Sequence, residues 1–197
     1  MRRILTSPVF ALGLLLVSAG FVSASNLPAC PPSGIRHNCF GEIISQSGKY
    51  VGEWRNDDWN GQGSHIFTLN GASGDFSGEF INGEFQNGYG RETTSSGFTY
   101  IGEYKKGLYH GKGKIIRNNE LSYEGHFESG FEHGYGIYFF PKDQDIDWGN
   151  NPIPIKYEGF FDNGKFHGEG ILTYEDETFN EGVWKDGYFQ YAKKLAP

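Results

Sequence analysis

Three recurring sets of side chains in this 197-residue chain have types and spacings that could do chemistry. Glu53, Glu79 and Glu103 return in the same local context, and paired carboxylates are what acid–base cleavage of glycosides uses. His110, His133 and His167 return likewise, as metal-ligating imidazoles could. Asp143, Asp145 and Asp147 alternate like the opening of a calcium-binding loop. Spacing weakens the first two. If each context belongs to one two-stranded unit, equivalent atoms in successive units lie about 10 Å apart. Carboxylates at that separation on a solvated face have little reason to split their pKa values. Imidazoles would have to converge to about 2 Å from one ion. A structural hydrogen-bonding position is the simpler expectation for both columns. In the acidic stretch, Trp148 stands where a calcium loop needs Gly and Pro154 where it needs the bidentate Glu. A solvated loop is the default there, with calcium left open. The Gly-x-Gly triplets lack the third Gly and following helix of a phosphate loop. No Ser/His/Asp set has a nucleophile context. The expectation is no catalytic residue, no cofactor and no resident metal.

The elements that must position these residues are repeats. One block occurs six times: Tyr50-Val51-Gly52-Glu53-Trp54, Phe76-Ser77-Gly78-Glu79-Phe80, Tyr100-Ile101-Gly102-Glu103-Tyr104, Tyr123-Glu124-Gly125-His126-Phe127, Tyr157-Glu158-Gly159-Phe160-Phe161, and Phe179-Asn180-Glu181-Gly182-Val183-Trp184 with one extra residue. A turn pair follows each block: Asn56-Asp57, Asn82-Gly83, Lys106-Gly107, Ser129-Gly130, Asn163-Gly164 and Asp186-Gly187. Gly at the second place allows the positive φ of a two-residue hairpin turn. A second motif comes next in five units: Asn60-Gly61-Gln62-Gly63, Asn87-Gly88-Tyr89-Gly90, His110-Gly111-Lys112-Gly113, His133-Gly134-Tyr135-Gly136 and His167-Gly168-Glu169-Gly170. The second unit holds one extra residue before Asn87, consistent with a β-bulge.

Alternation along these strands puts Tyr100, Gly102 and Tyr104 on one face and Ile101, Glu103 and Lys105 on the other. One face is therefore rings and glycines and the other mainly polar. Composition agrees: 30 Gly and 33 aromatics (4 Trp, 12 Tyr, 17 Phe) against a single Met argue for a β architecture rather than a helical bundle or a disordered chain. Rings lying flat over the bare backbone of a neighbouring strand would let a single-layer sheet cover its own apolar face. Cross-strand aromatic pairs add about 0.5–1.5 kcal/mol beyond burial.

The pattern from Tyr50 to Phe189 resembles the MORN repeat (membrane occupation and recognition nexus), usual form Tyr-x-Gly-Glu-Trp-x-x-Gly-x-x-His-Gly-x-Gly. A half-unit, Asn38-Cys39-Phe40-Gly41-Glu42-Ile43, precedes it, with Cys39 where the first Gly of the second motif belongs. Departures are Asp57 for Gly, Asn60 and Asn87 for His, Glu132 where an aromatic is usual, and the truncated last unit. The resemblance implies an all-β, elongated antiparallel sheet of successive hairpins. It also implies a role as an interaction, dimerisation or membrane-apposition module, sometimes attached to a kinase or methyltransferase domain. Here the repeats fill nearly all of the sequence that follows the leader.

That leader is residues 1–24. Arg2 and Arg3 precede an apolar run from Val9 to Val17, and Val22-Ser23-Ala24 offers a signal-peptidase site. Gly13, Ser18 and Gly20 interrupt the run, which is short for a spanning helix. The expectation is a cleaved signal helix and an exported protein, periplasmic or secreted. Leu27-Pro28-Ala29-Cys30 is only loosely like a lipobox. Absence of Asn-x-Ser/Thr acceptors favours a bacterial envelope. Cleavage removes two arginines and no carboxylate, leaving 15 Lys+Arg against 24 Asp+Glu, a net charge of −9. That disfavours nucleic acid and anionic lipid surfaces. In an oxidising compartment Cys30 and Cys39 would close a short loop as a disulfide, two free thiols being the alternative.

The expected layout is a signal peptide at 1–24, an N-terminal cap with the disulfide and half-repeat at 25–49, the array at 50–189 with an insertion at 137–156, and a tail at 190–197 that shields the last edge or frays. The prolines of the insertion make it a long hairpin end or projecting loop. The expected function is a non-enzymatic scaffold for protein contacts, with a protein partner or a second copy on the aromatic, glycine-lined strip or a sheet edge. Recognition of membrane lipid or carbohydrate is the alternative.

Overall fold

The structure is a computed structural model that describes residues 25–142 and 152–195. The leader and Asp143, Asp145, Asp147 and Trp148 lie outside the described residues. Thirteen strands form one antiparallel sheet in strict chain order: β1 (Cys39–Ile44), β2 (Gly48–Arg55), β3 (Asp58–Leu69), β4 (Ala72–Ile81), β5 (Glu84–Thr93), β6 (Thr99–Lys105), β7 (Leu108–Arg117), β8 (Glu120–Glu128), β9 (Phe131–Phe139), β10 (Pro154–Asp162), β11 (Lys165–Tyr174), β12 (Phe179–Lys185) and β13 (Tyr188–Ala192). No helix occurs among the described residues. At about 4.8 Å per strand the meander spans roughly 58 Å between its edges.

The hairpin turns take the backbone their residues permit. In the turn that follows each block both central residues have positive φ, as in Asn82 (49°) and Gly83 (83°), the twist-compatible two-residue geometry. Each turn is also tied to the preceding unit. The amides of Gly83, Gly107, Gly130, Gly164 and Gly187 donate to the carbonyls of Trp59, Gln86, Tyr109, Glu132 and Phe166 at 2.8–3.0 Å. Asp57 has the same role one unit earlier, its amide donating to Arg36 at 2.9 Å. Its departure from Gly has a use: the carboxylate accepts the Arg36 amide at 2.7 Å.

A glycine row runs across the sheet. Gly41 faces Gly52, which faces Gly63, which faces Gly78. Beyond β5 the row resumes through Gly90, Gly102, Gly113, Gly125, Gly136, Gly159, Gly170 and Gly182. Over it lies the core. Tyr50, Tyr100, Tyr123 and Tyr157 are each fully buried. In three units a second ring stacks on the tyrosine: Trp59 on Tyr50, Tyr109 on Tyr100 and Phe166 on Tyr157, at 3.7–4.3 Å and within 9° of parallel. Trp54, Tyr104, Phe127 and Phe161 meet the tyrosines edge-on.

The two ends differ. At the first edge, Ala29 bridges Phe40 in parallel. The Cys30 amide donates to Phe40 at 2.9 Å and the Phe40 amide to Pro28 at 2.8 Å. Cys30 and Cys39 are joined, Sγ–Sγ 2.02 Å, and Arg36 lies 4.5 Å over the Trp54 ring. A strap thus engages the outer side of β1 at Phe40, while Ile43 and Ile44 stay exposed. Replacing both cysteines by Ser is expected to cost about 2–3 kcal/mol and to speed amide exchange of Phe40 ahead of the central strands. Exchange by mass spectrometry checks this; unchanged protection would mean the strap holds without its cross-link.

At the other end, β13 reaches Ala192, three residues past the boundary the repeat pattern sets at Phe189. Tyr191 and Ala192 therefore belong to the last strand instead of shielding it. The reason is pairing: Tyr191 faces Val183 and the Lys193 amide still reaches Glu181 at 3.2 Å. In the insertion, Tyr138 and Phe139 pair with Tyr157 and Lys156, lengthening that hairpin.

Candidate functional site

The motif residues divide between structure and exposure, and the bulge in each hairpin explains the division. Between Gly52↔Gly63 and Trp54↔Trp59, β3 spends two more residues than β2. The third, fourth and fifth units repeat this, at Gly102↔Gly113, Gly125↔Gly136 and Gly159↔Gly170. A bulge frees backbone groups that must find partners. The tyrosine hydroxyl takes the carbonyl: Tyr50 donates to Glu53, Tyr100 to Glu103, Tyr123 to His126 and Tyr157 to Phe160, at 2.8–3.1 Å. The glutamate takes the amide: Glu53 accepts from Gln62 and Glu103 from Lys112, both at 3.1 Å. The two glycines of Gly-x-Gly have different tasks. Gly111 has φ +56° inside the bulge, whereas a Cβ on Gly113 would lie 2.6 Å from the Tyr100 hydroxyl.

The second unit departs. Phe76 replaces the tyrosine and has no hydroxyl to offer. The extra residue before Asn87 does not add to a bulge of the usual size. Instead the register slips so that Gly78 faces Gly88 rather than Gly90, leaving only one excess residue. The β-bulge expected there alone is thus general, and this one, like that between β12 and β13, has a single excess residue. Glu92, two residues past Gly90, lies opposite Tyr100 on the ring face, where Tyr109 donates its hydroxyl to the carboxylate.

The Glu column is therefore used in holding bulges. Glu79 accepts from Asn87 at 2.5 Å, and His126 and Phe160 take the position in later units. In the His column, His133 places its ring nitrogens 3.4 Å from Glu128 and Asp162. His167 has a buried Nδ1 without a partner among the described residues. His65, tilted against Trp59 at 4.5 Å and stacked on Phe67 at 5.4 Å, has its pKa lowered by burial. Burial raises the pKa of every core tyrosine, Tyr100 among them. Among the described residues no group of three or more His, Cys, Asp or Glu is placed to hold a metal ion.

The ring face is not an open strip for a peptide, contrary to the expectation from sequence. Phe76, Phe80, Tyr104, Phe127 and Phe161 are buried with the tyrosines, because each unit's rings are covered by those of the next. Several exposed features remain, and two of them present pairs of exposed tyrosines. One is β13, exposed along its whole length. The other is a recess of about 510 Å³ on the opposite face between Tyr89 and Tyr135. Sequence reasoning passed over both tyrosines as the middle residue of Gly-x-Gly. The available signal was a large aromatic on the supposedly polar face. Tyr135 donates its hydroxyl to Glu158 at 2.9 Å, and burial followed by that bond pushes its pKa up to about 12. The Lys156 ammonium, 2.9 Å away, leads in holding the Glu158 carboxyl below its usual range.

Comparison with known families matches the MORN repeat at residues 50–68, 100–120, 123–144 and 157–179. The second unit, with Phe76 and the slipped register, falls outside the matches. No curated protein matches the chain. MORN repeats are non-catalytic modules of interaction and recognition that mediate protein or membrane contacts. Matched in four units, with one hairpin plan shared by those units, the chain carries MORN repeats.

Proposed function

We propose that this protein is a non-enzymatic scaffold that works outside the cytoplasm, in the cell envelope or beyond it, by protein–protein contact through its last strand. The observation that carries the reading is the inequality of the two edges. The outer side of β1 is engaged by the strap at Pro28 and Cys30. β13 has every residue exposed, with Tyr188 at 75% and Tyr191 at 59%. An unpaired edge strand carrying large apolar groups is a ready template for another chain. The occupant is a partner's extended segment or the same strand of a second copy.

The test is a photo-reactive residue at position 190 of the protein in its native organism, followed by recovery of adducts. A protein adduct or a cross-linked dimer is expected, and Tyr188→Lys with Tyr191→Lys should remove it by blunting the edge. A strict monomer with no adduct under any growth condition would overturn the reading.

A further inference from the structure

We propose that the recess on the face opposite the rings is a second binding site, for an uncharged chain of pyranose sugars. The recess crosses the middle of the sheet, from Tyr89 on β5 to Tyr135 on β9. Four strand spacings, about 19 Å, separate these positions. Each tyrosine is 47% exposed. Tyr135 is held in place by its bond to Glu158 and by edge contact with Phe160 at 5.7 Å. Ile101 on β6 and Ile137 on β9 also line the recess. A tyrosine presents an apolar ring face and a polar tip, which suits the C–H faces and hydroxyl rims of sugar rings.

Charge narrows the ligand. Lys112 and Lys114 are balanced by Glu103 and Glu124, all four lining the recess, and Lys114 pairs with Glu124 at 2.9 Å. A balanced set gives no net field to draw an anionic or cationic polymer. It does place donors beside acceptors, and a hydroxyl is both. An extended peptide fits less well. In the interior of the sheet the ladder amides and carbonyls are already shared with neighbouring strands, so a peptide lying across the face finds no backbone to pair with. The site is separate from the edge β13 and makes no use of it.

Calorimetric titration of the purified protein with graded cello-, chito- and malto-oligosaccharides tests this. One neutral series is expected to bind, with affinity rising until the chain spans both tyrosines and then levelling. Tyr89→Ala and Tyr135→Ala should each weaken binding about tenfold with the melting temperature unchanged, whereas Tyr135→Phe, which keeps the ring, should retain most of it. No binding by any series at about millimolar sugar would overturn the proposal. So would binding that ignores both alanine variants, or a peptide protecting the two tyrosines in place of sugar. Tyr188→Lys with Tyr191→Lys should leave sugar binding intact, so this site and the edge contact fail or stand independently.

Discussion

Tyr100→Ala is expected to destabilise the central hairpins by about 4 kcal/mol, in the range of large core aromatics cut to Ala. The ring is fully buried, stacked on Tyr109 at 3.7 Å and met edge-on by Tyr104 and Phe127. Its removal uncovers Gly102 and Gly113 and leaves the Glu103 carbonyl without its hydroxyl partner. Tyr100→Phe separates these effects: the ring stays and only the bond is lost, at about 1–2 kcal/mol. Because each unit touches only its neighbours, the damage should be local. Hydrogen exchange should quicken in β6, β7 and β8 before β2 and β3. A urea-unfolding difference below about 1 kcal/mol for the alanine variant would mean that the stacked rings are not what holds the sheet.

Gly102→Ala should cost about 2–3 kcal/mol, although it adds a single methyl group. A Cβ there would lie 2.6 Å from the Cα of Gly113 and 2.7 Å from the carbonyl oxygen of Lys112. Both are backbone atoms of the facing strand, so relief requires the strands to part. The useful contrast is Gly130→Ala. Gly130 has φ +92° and nothing within 4 Å of an added Cβ. Its cost is that of a left-handed backbone alone, about 1 kcal/mol. Thermal and urea unfolding of the two variants checks the order. If the turn substitution proved the more damaging, the glycine row would owe its composition to something other than close approach of strands.

Much of the fold was legible because it is local and repeated. A period of two along a strand assigns rings and glycines to one face wherever Tyr-x-Gly-x-aromatic occurs. A pair such as Asn82-Gly83 closes a hairpin by its own φ preferences. Neither needs knowledge of distant residues, so chain order became sheet order. The site was less legible. From sequence, the aromatic face looked available for a partner. Only the assembled sheet shows that a ring from each unit covers the tyrosine beside it, and that the exposed tyrosines are Tyr89, Tyr135, Tyr188 and Tyr191.

What the sequence alone determined is the unit: hairpin, turn, and one face of rings and glycines, all set by residues close in the chain. The tertiary structure decided how units meet. Glu53 and Glu103 hold bulge amides, which no spacing rule disclosed. The register between β4 and β5 slips by two, bringing Gly88 instead of Gly90 opposite Gly78. One edge is engaged by the strap at Phe40 while the other is exposed along its whole length. The physical reason is the same in each case. Pairing partners, and the unpaired groups that a bulge or an edge leaves behind, are properties of two strands together, and alternation within one strand does not specify them.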